Sequence, residues 1–164
     1  MKIRIPSAAY HEAGHAVAAV LVGMHVTVAS IEAKGYPRNW RLRGGVLASF
    51  DHSAAKNRRE AERAVTAGLA GEQAELLWST QKPWRRVKRT SHAKFAGDRA
   101  YVEEMLRPFV RAPGNKKRTI ARLKEAARAL LEEHWSRVEA LAEKLAERKA
   151  LNGTEINRLV PPTG

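Results

Sequence analysis

Residues 11–15 read His-Glu-Ala-Gly-His. On a helix, positions i and i+4 lie about 40° apart around the axis and one turn along it, so His11 and His15 can reach one ion together. Glu12 falls about 100° round from His11, beside the coordination position that such an ion leaves open. A carboxylate there can take a proton from water and pass it to a leaving amine. Neutral imidazole suits zinc, whose catalytic sites keep three protein ligands and one water. With six His and fifteen Glu in 164 residues, roughly 2% of shuffled chains would contain the pattern. The bland alternative is an ordinary pair of helix histidines beside a solvated Glu. The small neighbours Ala13, Gly14 and Ala16 argue against it, because they leave room for another element to pack against the site.

A zinc ion then needs a third protein ligand. The chain has no cysteine, and His15 leads into AVAAVLVG, so no further histidine follows soon after the motif. The candidates are His25, His52, His92, His134, Asp51, Asp98 or a Glu. Asp98 is one of only two aspartates and stands at the start of a predicted helix, in AKFAGDRAYVEEM. A ligand there can be aimed at another helix with little loss of side-chain entropy. Glu75, inside AGLAGEQAELL, is the second candidate, on a helix with a small-residue face. Spacing alone leaves the choice open.

The pattern of elements around these residues is mainly α with a small antiparallel β element. Pro6 and Ser7 open a helix that runs to about Gly23, with Ser7 as its N-cap and Gly23 as its stop. Residues 24–33 (MHVTVASIEA) and 42–50 (LRGGVLASF) read as a pair of antiparallel strands. Ser53 caps a helix over about 54–79, with Ala61, Val65, Leu69, Ala70, Leu76 and Leu77 on its apolar stripe. A shorter helix runs from about Phe95 to Phe109, and RAPGN breaks the chain. One long helix then fits from Lys116 to Lys149, with Ile120, Leu123, Ala127, Leu130, His134, Val138, Leu141 and Leu145 at steps of three or four. Asn152-Gly153 ends it, and Thr154 caps a final turn. The whole reads as one domain, 1–164, in which 1–110 carry the metal-site core and 111–164 the long C-terminal helix and its cap.

Hydrophobic residues make up 44% and charged residues 29%, a globular composition. No apolar run approaches the ~18–20 residues that span a bilayer, and MKIRIPSAAYHEAGHAV does not read as a secretory signal. The expected location is the cytoplasm. The net charge of +13 favours acidic partners. Lys82, Arg85, Arg86, Lys88, Arg89 and Lys94 form a basic stretch around Trp84, with no acid from Leu76 to Gly97. Residues 82–94 are therefore a candidate nucleic-acid contact, against the plainer reading of a solvated basic loop or a lid over acidic substrates. Trp40 and Trp78 are candidates for a substrate groove or for packing, and Trp135 for packing.

AYHEAGHAV, VTVASIEAKG, GGVLASF, AGLAGEQAELL, TSHAKFAGDRAYVEEM and LNGTEI occur in the order found in the peptidase domain of FtsH-type AAA zinc metalloproteases. The chain resembles that family from Ala9 to about Ile156. The resemblance implies Zn²⁺ held by His11, His15 and Asp98, with Glu12 as the catalytic base. Glu75 matches an acidic position that supports a ligand histidine from behind, and Val46, Leu47, Ala48, Ser49 and Phe50 match the edge strand that pairs with an extended substrate. The sequence departs from the pattern in three places. It holds no G-x-x-x-x-G-K-[ST] phosphate loop, so on its own it is expected to act without ATP on peptides or unfolded protein, unless an ATPase partner acts in trans. The stretch between Glu75 and Asp98 is longer and more basic. The approach to Asp98 carries two extra residues, with Gly97 where the family has Asn, which makes His92 a fallback ligand. Family rings are built largely through the ATPase module, so a homo-oligomer is left open without a number. A regulatory or nucleic-acid-binding protein acting through its basic surface is the competing reading.

Overall fold

The computed structural model describes residues 5–32, 45–50, 55–81 and 96–163. Its first helix, α1 (Ser7–Leu21), is buried on every side from Ala9 to Val20. An apolar helix with alanines on all faces has no solvent face to offer and becomes the centre of the molecule. Ser7 is the first helical residue rather than the cap. Pro6 takes the N-cap position in extended backbone, and no side chain caps the end. The C-terminus stops as expected at Gly23, whose φ of 87° is the left-handed turn that glycine adopts without strain. Gly23 N–H donates to the Val20 carbonyl and Met24 N–H to that of Ala19, satisfying two of the helix's last carbonyls.

The chain then forms β1 (His25–Ser30) and β2 (Val46–Ser49), the expected antiparallel pair, with Phe50 just past the second strand. A register shift between Val26 and Val28 leaves Thr27 as an extra residue. This change of parity lets Val26 and Ala29 both face the core despite their odd spacing. The pair is in fact part of a three-stranded sheet of order β2-β1-β3, completed by β3 (Ala150–Asn152). Three residues are too short for an alternating pattern to show. Among the described residues β2 pairs only with β1 and lies at the edge of the sheet.

Helix α2 (Arg58–Gln81) starts later than 54, because Asn57 is its cap: Glu60 N–H donates to Asn57 Oδ1 at 2.9 Å. Leu76, expected on the apolar stripe, is 47% exposed, since the packed face instead runs through Ala70, Gln73, Ala74 and Leu77. α2 packs closely along α1. A methyl group on Gly14 would come within 2.5 Å of Ala74 Cβ and 2.7 Å of the Ala70 carbonyl oxygen, so the small residues do admit a neighbouring helix. Helix α3 (Ala96–Leu106) lies on α2 with the Tyr101 ring and Val102 over Gly68.

The long C-terminal helix is two helices. α4 (Pro113–Glu133) and α5 (Trp135–Arg148) are separated at His134, which leaves helical geometry at φ −113° and ψ 26°. RAPGN does not precede the helix but begins it, with Pro113 in the first turn, where a missing N–H costs nothing. The break passes the chain from α2, on which α4 packs, to α1, on which α5 packs. Leu131, Val138, Leu141 and Leu145 are fully buried across the join. α5 ends at Lys149 in a left-handed turn (φ 69°), and β3 follows. α6 (Gly153–Leu159) is capped by Asn152, not Thr154: Asn152 and Glu155 exchange side-chain to backbone bonds at 2.9 and 3.0 Å. Among the described residues no helix is long and apolar enough to cross a membrane.

Candidate metal centre

His11 and His15 lie one turn apart on α1 and project their rings edge to face, with centroids 4.6 Å apart. Their Nε2 atoms are 3.0 Å apart. Asp98, in the first turn of α3, brings Oδ2 to 3.1 Å from His11 Nε2 and 3.3 Å from His15 Nε2. The three atoms form a nearly equilateral triangle, with each donor on a buried or partly buried residue. Tetrahedral zinc with bonds of about 2.0–2.1 Å separates its ligand atoms by about 3.3 Å. The triangle is slightly smaller than one face of such a tetrahedron.

A hydrogen bond behind the His15 ring sets its tautomer. The Ala67 carbonyl of α2 lies 2.8 Å from His15 Nδ1 and can only accept, so Nδ1 carries the proton and Nε2 keeps its lone pair for the triangle. His11 Nδ1 faces Glu75 Oε1 across 3.8 Å, a charge contact longer than a direct hydrogen bond. Glu75 is 2% exposed, which strengthens the field it applies. It therefore stands behind His11, on the side away from the triangle. Support of this kind orients imidazole ligands and raises their basicity.

Three electron-rich atoms at 3.0–3.3 Å repel one another unless a cation or a proton sits among them. In the bare protein the proton goes to His15. Desolvation opposes its charge, but the Asp98 charge and hydrogen bond, with Glu12 and the Ala67 carbonyl, raise it from 6.5 to about 9. His11 is lowered by its burial and by the neighbouring His15, against the pull of Asp98 and Glu75. Burial pushes the Asp98 carboxyl up, yet the two histidines hold it well below the ordinary carboxylate range. His11, His15 and Asp98 could therefore hold a metal ion, and their donor set of two imidazoles and a carboxylate suits zinc. Glu12, on the same helix and equally buried, is close enough for its charge to act on His15.

Of the other candidate ligands, His25 lies exposed on β1 and His134 at the α4–α5 join, and neither enters the triangle. His52, His92 and Asp51 lie outside the described residues, as do Trp40 and the basic stretch 82–94. Trp78 is a packing residue: it stacks on Tyr10 at 5.2 Å, and Trp135 stacks on Tyr10 at 5.9 Å. The residues beneath the motif thus include an aromatic stack that fixes α1 between α2 and α5. Sequence reasoning missed the Ala67 carbonyl, which no side-chain pattern could reveal, and Gly71, which lies against both imidazoles. The small-residue run AGLAG was the available signal.

No protein-family model matches the chain, and no curated protein matches it.

Proposed function

We propose that the protein is a zinc-dependent metalloendopeptidase of FtsH-like architecture, hydrolysing unfolded or flexible peptides without ATP of its own. The observation that carries this reading is the convergence of His11 Nε2, His15 Nε2 and Asp98 Oδ2 beside Glu12 on the same helix. A structural site would have no need of a buried carboxylate at that position. Zinc bound there would supply a Lewis acid that polarises a carbonyl and acidifies a coordinated water.

The chain's own residues do the rest. Ala67 and Glu75 orient the two imidazoles through their Nδ1 atoms, and Asp98 completes the donor set from a separate helix. Glu12 takes a proton from the attacking water and returns it to the departing amine. The side of β2, Val46–Ser49, that carries no strand among the described residues would offer backbone N–H and C=O groups to an extended peptide, the mode in which a substrate adds a strand to a sheet. Extended pairing requires a substrate that is already unfolded, or one delivered by an ATPase partner.

The Glu12→Gln variant tests the assignment. It should retain one zinc per chain and lose cleavage of a fluorogenic unstructured peptide. Zinc lost from the variant, or cleavage retained, would sink the mechanism. Steeply salt-dependent DNA or RNA binding by a zinc-loaded protein without peptidase activity would favour the competing nucleic-acid reading.

A further inference from the structure

α2 meets the two imidazoles at Gly71. A methyl group built on Gly71 would stand 2.7 Å from His11 Nε2 and 2.7 Å from His15 Cε1, and closer still to His15 Nε2. Those two nitrogens face Asp98 Oδ2 across the triangle. Any other side chain would therefore press on the ligand nitrogens themselves. Other glycines of the described helices do different work. Gly14 admits Ala74, Gly68 lies beneath the Tyr101 ring, and Gly114 faces open space.

Backbone conformation does not call for glycine at position 71. Positive φ occurs among the described residues only at Gly23 and Lys149, so Gly71 has ordinary helical geometry. Propensity argues against it as well, because glycine inside a helix is unfavourable relative to alanine. What remains for it to supply is room.

We propose that Gly71 is a component of the metal centre: its missing side chain is the room in which His11 and His15 bring their Nε2 atoms together for an ion. α2 then contributes three things to the site without giving a ligand: the Ala67 carbonyl behind one imidazole, Glu75 behind the other, and at Gly71 a bare stretch of backbone beneath both. Gly71 positions the ligands and takes no part in proton transfer. The inference rests on the zinc reading above, and the two can fail separately.

The test compares wild type, Gly71→Ala and Gly114→Ala, the last adding the same methyl group to a helix where nothing lies within 4 Å. Zinc affinity is read by competition with a chromophoric chelator, and ligand geometry by the visible absorption of Co²⁺-loaded protein. Wild type and Gly114→Ala should bind one zinc alike. Gly71→Ala should keep its helical circular dichroism and bind zinc on the order of a hundredfold more weakly, the upper end of what disturbed supporting contacts cost. Wild-type affinity and an unchanged Co²⁺ spectrum in Gly71→Ala would overturn the proposal. Should that variant fail to fold, the substitution is repeated in a His11→Ala/His15→Ala background. There the triple variant should melt no lower than the double, because the atoms in the way are gone; a much lower melting point would overturn the proposal. No zinc bound by the wild type would overturn the zinc reading and this inference together, whereas zinc bound equally by wild type and Gly71→Ala would overturn this inference alone.

Discussion

Zinc and a proton compete for the same atoms in this centre, and the competition sets a pH dependence that can be worked out in advance. In the metal-free protein, desolvation of His15 is outweighed by Asp98 and the neighbouring groups, which raise the imidazole from 6.5 to about 9. At pH 7 zinc must displace that proton. A gap of about two pH units costs roughly a hundredfold in apparent affinity, or about 3 kcal/mol. Apparent affinity should therefore climb about tenfold per unit from pH 7 toward 9 and then level off. Chelator competition across that range measures the slope. Calorimetry in buffers of different ionisation enthalpy should read about one proton released per zinc at pH 7. The stability of the metal-free protein follows the same pair. His15, raised on folding, stabilises the fold fully below about 6.5 and loses that contribution as pH rises to about 9. Asp98, depressed on folding, contributes above about 3.8 and loses its contribution on acidification. The Tm rise produced by zinc should accordingly grow between pH 6.5 and 9. A flat affinity over pH 7–9 with no proton release would refute the shared-site reasoning.

Three further outcomes follow from named contacts. Asp98→Ala removes one corner of the triangle, so zinc per chain after dialysis should fall from one toward zero; full retention would pass the third-ligand role to another group. Glu75→Gln removes the charge behind His11, and zinc affinity should drop about 10–100-fold with the fold intact, by the same chelator assay. Asn152→Ala opens the capping box of α6 and should cost about 1 kcal/mol in urea unfolding while leaving zinc binding unchanged.

The HEAGH helix, its glycine stop, the two strands of the antiparallel pair and the mainly helical class were all legible, because each element shows in a local pattern of helical spacing, stop residues or alternating β-branched residues. Misread elements have equally local explanations. The helix expected from Ser53 begins at Asn57, since another short polar side chain nearby makes the cap. The long helix from Lys116 breaks at His134 without a proline or glycine, because α4 must follow α2 and α5 must follow α1, and a continuous apolar spacing carries no trace of that change of partner. β3 was invisible at three residues, and it is held by pairing with β1 from the far end of the chain.

The site divides along the same line. The spacing of His11, Glu12 and His15 needs only the helical repeat, so the sequence alone determined that two imidazoles share a face with a carboxylate beside them. Which group meets those imidazoles depends on helix packing. Asp98 lies 87 residues from His11, and the Ala67 carbonyl 52 residues from His15. Both arrive because Gly14 and Gly68 let α1, α2 and α3 approach closely enough for their backbones and side chains to close around one point. Sequence spacing carries no information about such a distance, because it is set by the volumes of side chains on different helices. Spacing left the third ligand open and the resemblance named Asp98 and Glu75, but only helix packing sets Asp98 in front of His11, Glu75 behind it and Gly71 against both imidazoles.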